Sequence, residues 1–225
     1  MERVEHFGSF LDSVKNRITH LYVLGDLFDY WIGPGHENQP EYNRALRQIR
    51  AVADSGVHVY VLHGNRDFFL DSNIAALTRA EIAGDTLRLA LGGKVVHLCH
   101  GDQLCRNDRG GIALRTFLRS PVFQFFYKAC PFTIRDRLAR RLRGVSKARV
   151  AKKTRAVTGF SDAAIERIFD GGVDVLVCGH THRHGRRDIP YKGRNRILYN
   201  LGDWSQNGSY LLYAEGEFNL LHYDW

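Results

Sequence analysis

Cysteine is scarce in this 225-residue chain, with four residues in all. Cys99, Cys105, Cys130 and Cys178 show no Cys-x-x-Cys spacing, and two of them, Cys99 and Cys178, end apolar runs that read as buried strands. Reduced thiols in a reducing compartment are expected, not a disulfide framework. Long apolar runs are also missing. None approaches the roughly 18 residues that a spanning helix requires. The opening MERVEHFGSF has neither a basic flank followed by an apolar stretch nor a small-residue cleavage site, so a soluble chain in the cytosol is expected. There is no internal repeat and no low-complexity linker. Hydrophobic residues at 44% and charged residues at 25% sit close to globular averages and argue against a disordered or fibrous class. The length suits one full-sized catalytic core.

Acidic residues are nearly absent from one segment. Of the 32 Lys and Arg, 15 lie in residues 106–155, where Asp108 and Asp136 are the only acids. The net charge of +8 therefore belongs to that segment, and the rest of the chain is acidic on balance. Such a segment attracts the phosphates of a nucleotide, a nucleic acid or an anionic lipid surface, and charge alone does not choose among them. From Gly110 to Thr158 the sequence is apolar and basic by turns and is broken by Pro121 and Pro131. It reads as several helices inserted as a lid, at about 108–158, into a single domain spanning 1–225.

What is present elsewhere is an alternation of helix and strand patterns. Residues 2 to 16 carry Val4, Phe7, Leu11 and Val14 on one helical stripe and lead to the strand-like HLYVLG. A helical stretch from about Glu41 to Ser55 precedes VHVYVLHG, and another from Ser161 to Asp170 precedes VDVLVCGH. This order implies a largely parallel, helix-covered sheet. TLRLALGGKVVHLCH reads as a hairpin turning at Gly92 and Gly93. RILYNLG and SYLLYAEGEFNLLHY should add antiparallel strands to the sheet.

Five segments each end a predicted strand and place Asp, Asn or His in the loop that follows: Gly25-Asp26-Leu27-Phe28-Asp29, Gly64-Asn65-Arg66-Asp67, His100-Gly101-Asp102, Gly179-His180-Thr181-His182 and Leu201-Gly202-Asp203-Trp204. In an α/β sheet the strand ends on one side form the ligand crevice, so these loops can converge. Carboxylate, amide oxygen and imidazole together suit Mn²⁺, Fe²⁺ or Zn²⁺. A carboxylate such as Asp26 can bridge two cations roughly 3.5 to 4 Å apart, an arrangement that favours in-line attack on phosphorus.

GDLFD, GNRD, HGD and GHTHR, in this order and with these gaps, resemble the calcineurin-like metallophosphoesterase superfamily over nearly the whole chain. The fuller forms GDLFDYWIG, HGNRDF, HGDQLC and GHTHR followed by LGDW resemble, within it, the bacterial UDP-2,3-diacylglucosamine hydrolase family of lipid A synthesis. That resemblance implies an α/β layered sheet sandwich flanked by helices with an inserted helical lid. It also implies two divalent ions, Mn²⁺ by preference, and a nucleotide-linked lipid substrate. The setting it implies is peripheral, on the cytoplasmic face of the inner membrane. Carried over by position, Asp26 matches the bridging ligand; Asn65, His100 and His180 match the other ligands of the second metal, and His182 a ligand of the first. Asp26, Asn65, Arg66 and His100 form the catalytic group. Arg66 stands where many superfamily members have a proton-donating His, and in this family it grips phosphate. Asn65, Arg66, Asp108, Ser146, Lys147, Lys153 and His182 are the expected substrate contacts, with Val150 where the family often has Asn.

The family pattern also includes an Asp-x-His at the end of a strand that gives the first metal two ligands. No Asp-x-His occurs before Asp26 in this sequence. Two accounts compete: a start that lies a short way downstream of the natural one, which the intact remaining motifs favour, or a one-metal or inactive relative. If the chain is whole, the second metal site should survive and the first should be weak or empty.

Other features have plainer readings. Asp29, Asp67, Asp102 and Asp203 are expected to cap turns or support the ligands. His63, His97 and His184, with His20, His36, His58 and His222, read as packing or surface residues. Trp31 and Trp204 read as walls of the site. Phe123, Phe125, Phe126, Tyr127, Phe132 and Ile134 form either the small core of the lid or a greasy channel resting on a bilayer, with Arg135, Arg137, Arg140, Arg141 and Arg143 meeting anionic headgroups. A nucleic-acid phosphodiesterase or binding protein is a second functional class, made less attractive by the apolar residues that interrupt the basic stretch.

Overall fold

A computed structural model describes residues 2–67, 69–70, 72–105, 113, 116–118, 120–151, 159–204 and 208–225. Asp108 and Lys153 lie outside the described residues, and at Ser146 and Lys147 the backbone alone is described. The chain runs α1 (Glu2–Val14), β1 (His20–Val23), α2 (Pro40–Asp54), β2 (His58–Leu62), α3 (Ser72–Thr78), β3 (Glu81–Gly84), β4 (Thr86–Leu91), β5 (Lys94–Cys99), α4 (Pro121–Ala129), α5 (Phe132–Ala151), α6 (Asp162–Asp170), β6 (Val175–Cys178), β7 (Gly185–Tyr191), β8 (Arg194–Asn200), β9 (Gly208–Ala214) and β10 (Glu217–Tyr223).

Local chemistry explains these elements. In α2 the buried residues Tyr42, Ala45, Leu46, Ile49 and Val52 recur at helical spacing, Pro40 stands in the first turn where no N–H is needed, and Arg50 pairs with Asp54 one turn on at 2.9 Å. α4 begins where the Ser120 hydroxyl accepts from the Phe123 amide at 3.3 Å. All four residues of β6 are buried, as a central parallel strand covered on both faces requires. The β4–β5 hairpin turns at Gly92 and Gly93, whose φ values of 54° and 73° lie in the left-handed region.

The sheets stack in layers. β1, β2 and β3 form one sheet in that order, with β1 and β2 parallel. A second sheet runs β4-β5-β6-β8-β7, in which β5, β6 and β8 are parallel and the outer strands antiparallel. The strand-rich tail departs from expectation here. β8 joins parallel to β6, while β9 and β10 pair with each other as a separate two-stranded sheet. That hairpin continues the first layer: Tyr210 and Tyr223 pack toward α1 and α2, whereas Leu211, Phe218 and Leu220 pack toward the five-stranded sheet. The middle core of Leu62, Val96, Leu98, Val175, Val177 and Tyr199 lies between the layers, and α6 covers the far side through Ile165 and Phe169.

Between β1 and β9 runs an elongated cavity of about 1470 Å³. It is lined by consecutive residues of both strands, His20 to Leu24 and Ser209 to Ala214. A strand that offers its face lines a space with alternate residues; consecutive residues mean that both strands present their edges. α1 walls the cavity on one side with Val4, Phe7, Phe10 and Val14, and the five-stranded sheet on the other with Leu89, Leu91, Val96, Leu98 and Val177.

Trp31 is no wall of the site: it is 1% exposed and packs on Phe28 in the core under α2. Trp204 meets Phe7 and Phe10 edge-on and does border the cavity. His36 is fully buried, with its ring 3.9 Å from that of Tyr42 and neither nitrogen hydrogen-bonded. Burial pushes it down to about 4 from its ordinary 6.5, with Arg140 and Arg135 adding to the fall and Asp136 opposing it. The unfolded chain takes up this proton as the pH falls through about 6.5, the folded one only near 4, so His36 withdraws stability across that window as acid is added. His36→Phe, which loses no hydrogen bond, is expected to flatten the fall of melting temperature between pH 6.5 and 4 relative to wild type. Parallel curves would assign the acid sensitivity to other groups.

Candidate active site

The C-terminal ends of β1, β2, β5, β6 and β8 point to one end of the layered sheets, and the loops that follow them carry the residues singled out from the sequence. Asp67 stitches two of these loops together. Its buried carboxylate accepts from the backbone amides of Gly64 at 2.9 Å, Asp26 at 3.1 Å and Phe28 at 3.4 Å. Burial and the neighbouring Asp26 push this carboxyl up to about 6, against the lowering effect of the amide donors. The Asp26 carboxylate returns the link by accepting from the Arg66 amide at 3.0 Å.

Three donor atoms meet in a triangle. His100 Nε2 lies 2.9 Å from Asn65 Oδ1 and 3.1 Å from His180 Nδ1, and the latter is 3.1 Å from Asn65 Oδ1. Asp26 Oδ2 stands 3.6 Å from His100 Nε2. Edges of this length are those of one face of an octahedron whose centre is about 2.1 Å from each donor, a normal metal–nitrogen or metal–oxygen distance. The protonation pattern agrees. His100 Nδ1 donates to the Leu24 carbonyl at 2.9 Å, which leaves Nε2 with a bare lone pair aimed at its neighbours. His180 is pushed down to about 4 by burial first and by His100 second, so its imidazole is neutral at ordinary pH. Among the described residues no three His, Cys, Asp or Glu side chains alone make up a metal-holding group; here the amide of Asn65 supplies the third donor. The residues present fit a divalent cation.

His182 is the sequence-predicted ligand that stands outside the triangle. It borders the same cavity as Asp26, His100 and His180, and its Nδ1 is 3.0 Å from Asp203. Arg66 extends its guanidinium to Asp26 at 3.2 Å and toward Asp29 at 3.7 Å. Asp26, His180 and His182 have φ values of 53°, 66° and 55°, a left-handed backbone that non-glycine residues adopt at a cost and that clusters at functional sites. Arg135, placed facing headgroups in one of the two readings of the lid, is 7% exposed and donates to the carbonyls of Ile32 at 2.5 Å and Pro34 at 2.7 Å. It pins α5 to the loop after Asp26. Nothing in the sequence signalled that latch or the Leu24 carbonyl behind His100, because all three acceptors are backbone.

A carboxylate, an amide and imidazoles gathered at the strand ends of a layered α/β sandwich are the donor types that metal-dependent phosphoesterases use. The chain belongs to the calcineurin-like phosphoesterase family, whose profile matches residues 3–184. It is 33% identical over 229 residues to UDP-2,3-diacylglucosamine hydrolase of Pseudomonas entomophila, covering 100% of this chain and 95% of that one. To the Klebsiella pneumoniae protein of the same name it is 34% identical over 218 residues, covering 96% and 90%. A solved archaeal phosphodiesterase shares the fold with a TM-score of 0.52 at 9% identity, over 97% of this chain and 92% of the other.

The abutting loops leave no room for a side chain at Gly64. A methyl group there would lie 2.2 Å from both the amide nitrogen and Oδ1 of Asp26. Gly64→Ala is expected to cost about 2–3 kcal/mol of stability and to abolish hydrolytic activity, since backbone must shift at Asp26 itself. Thermal unfolding and a turnover assay check both; an alanine variant with unchanged activity would show that the loops separate freely.

Proposed function

We propose that this chain hydrolyses the pyrophosphate bond of UDP-2,3-diacylglucosamine, releasing UMP and 2,3-diacylglucosamine 1-phosphate, a step of lipid A biosynthesis. The observation that carries this reading is the donor triangle of Asn65, His100 and His180 beside Asp26, supported by similarity to the named hydrolases over the full chain. In this reading Asp26, Asn65, His100 and His180 would hold one divalent cation and His182 would contribute to a second, with Mn²⁺ suited to the mixed oxygen and nitrogen donors. When bound, such ions polarise a phosphoryl oxygen and a water molecule.

The chain's own residues set up the rest. The Leu24 carbonyl fixes the tautomer of His100, so that Nε2 faces the site without a proton. Asn65 brings an acceptor that needs no deprotonation. Arg66, with a third of its side chain exposed beside Asp26, offers its guanidinium to a phosphate oxygen and stabilises charge that grows as the bond to the leaving group breaks. Asp108, Ser146, Lys147 and Lys153 belong to the substrate contacts in this reading. α4 and α5 act as the lid over the nucleotide and its acyl chains.

The same helices suggest how a lipid substrate is met. Val122, Phe125, Phe126 and Ile134 are each more than half exposed, and Arg137, Arg140 and Arg141 are exposed on α5. An apolar face with basic neighbours suits the surface of an anionic leaflet, and this reading places the protein peripherally on the cytoplasmic face of the inner membrane. Among the described residues no helix is long and apolar enough to cross a membrane.

Hydrolysis of the UDP-lipid is expected to vanish on thorough chelation and to return with added Mn²⁺, and His100→Ala should remove it altogether. Arg66→Ala should lower turnover about 100-fold, the scale for loss of one group that stabilises developing charge. Release of UMP measured over time checks all three, and full turnover after chelation would end the metal-dependent reading.

A further inference from the structure

His182 and Asp203 come from different loops that the sheet brings side by side. β6 and β8 are parallel neighbours in register, with Cys178 opposite Asn200. The loops leaving them are tied at their roots: the Leu201 amide donates to the Cys178 carbonyl at 2.7 Å, and Asn200 Nδ2 donates to Thr181 Oγ1 at 2.6 Å. Four residues beyond Cys178 comes His182, and three beyond Asn200 comes Asp203, so the shared root sets the pairing of His182 Nδ1 with Asp203 Oδ2 at 3.0 Å. Close approach of Gly202 to His184 and Ser209, within 3.5 Å of where a Cβ would sit, holds this second loop in place.

We propose that Asp203 is the positioning residue for His182: its carboxylate accepts a hydrogen bond from Nδ1–H, which keeps the proton on Nδ1, fixes the ring and presents Nε2 as a lone pair to a divalent cation. This rests on the reading of His182 as a metal-facing group. The device parallels the one behind His100, where Nδ1 is engaged by the Leu24 carbonyl, but with an anionic acceptor in place of a neutral one. An anionic acceptor makes the opposite nitrogen a stronger donor to a cation and biases the tautomer more firmly. It matters more at His182, whose side chain is 44% exposed and is not held by packing as that of His100 is at 5%. The plain alternative is a surface ion pair with no bearing on the site, which contributes little.

The tautomer and the cation affinity distinguish the two. In the chelator-treated full-length chain, nitrogen-15 NMR of the histidine rings should show His182 protonated at Nδ1. In Asp203→Ala it should shift toward the Nε2-protonated form that free imidazoles favour. Calorimetric titration with Mn²⁺ alone should give 10- to 100-fold weaker binding for Asp203→Ala at one site, the usual range for loss of such a support, with Asp203→Asn in between. Added to His182→Ala, Asp203→Ala should change nothing further. An unchanged tautomer, Mn²⁺ affinity within twofold of wild type, or an additive loss in the double variant would overturn the proposal while leaving the hydrolase reading intact. Failure of the wild-type chain to bind Mn²⁺ at all would overturn both.

Discussion

A carboxylate shut away from water, that of Asp67, accepts three backbone amides from two loops distant in sequence. The placement of both Asp26 and Asn65 depends on that knot. Asp26 and Asn65 follow β1 and β2, which pair in parallel, so the strands bring the loops to the same end of the sheet but do not fix their separation. Asp67 does, and Gly64 makes the closeness possible. The second sheet is tied to the first by the hydrogen bond from His100 to the Leu24 carbonyl. With the contacts of Asn65 to His100 and His180, two sheets whose shared core is apolar are thereby held at this edge by directional polar contacts, which set distances that greasy packing leaves loose.

Much of this was legible in the sequence because its signals were periodic. α1, α2 and α6 appear within two residues of where apolar stripes placed them, and the β4–β5 hairpin turns where Gly92-Gly93 indicated. The donor residues were found because each follows an apolar strand. What periodicity did not carry is pairing between distant elements. β7 and β8 pair antiparallel in the sheet as the tail suggested, but β8 also joins parallel to β6, which the sequence did not signal, since a run such as RILYN is equally apolar in either orientation. Trp31 and Arg135 were misplaced for a related reason. Their surroundings are set by α2, α5 and the loop between residues 31 and 38, none of which adjoins them all in sequence.

The burial of Arg135 changes how the basic segment is understood. A guanidinium that donates from both terminal nitrogens to two carbonyls of the loop that follows Asp26 joins α5 mechanically to the site, and Tyr30 adds a hydrogen bond to Asp136 of the same helix at 3.2 Å. Cationic residues in one stretch thus divide into those that fasten the helix and those left facing outward, such as Arg137 and Arg141. The count of charges did not separate the two groups; only burial does.

The edges of β1 and β9 that border the long cavity have a thermodynamic meaning of their own. A row of peptide groups without a neighbouring strand among the described residues invites an extended chain, and the apolar walls from α1 and the five-stranded sheet would reward one. Because the same cavity reaches Asp26, His100, His180 and His182, resistance to unfolding and the chemistry of the donor atoms are linked through a shared space. By mass action, whatever settles along those two edges tightens the whole molecule and at the same time changes the surroundings of its ligands.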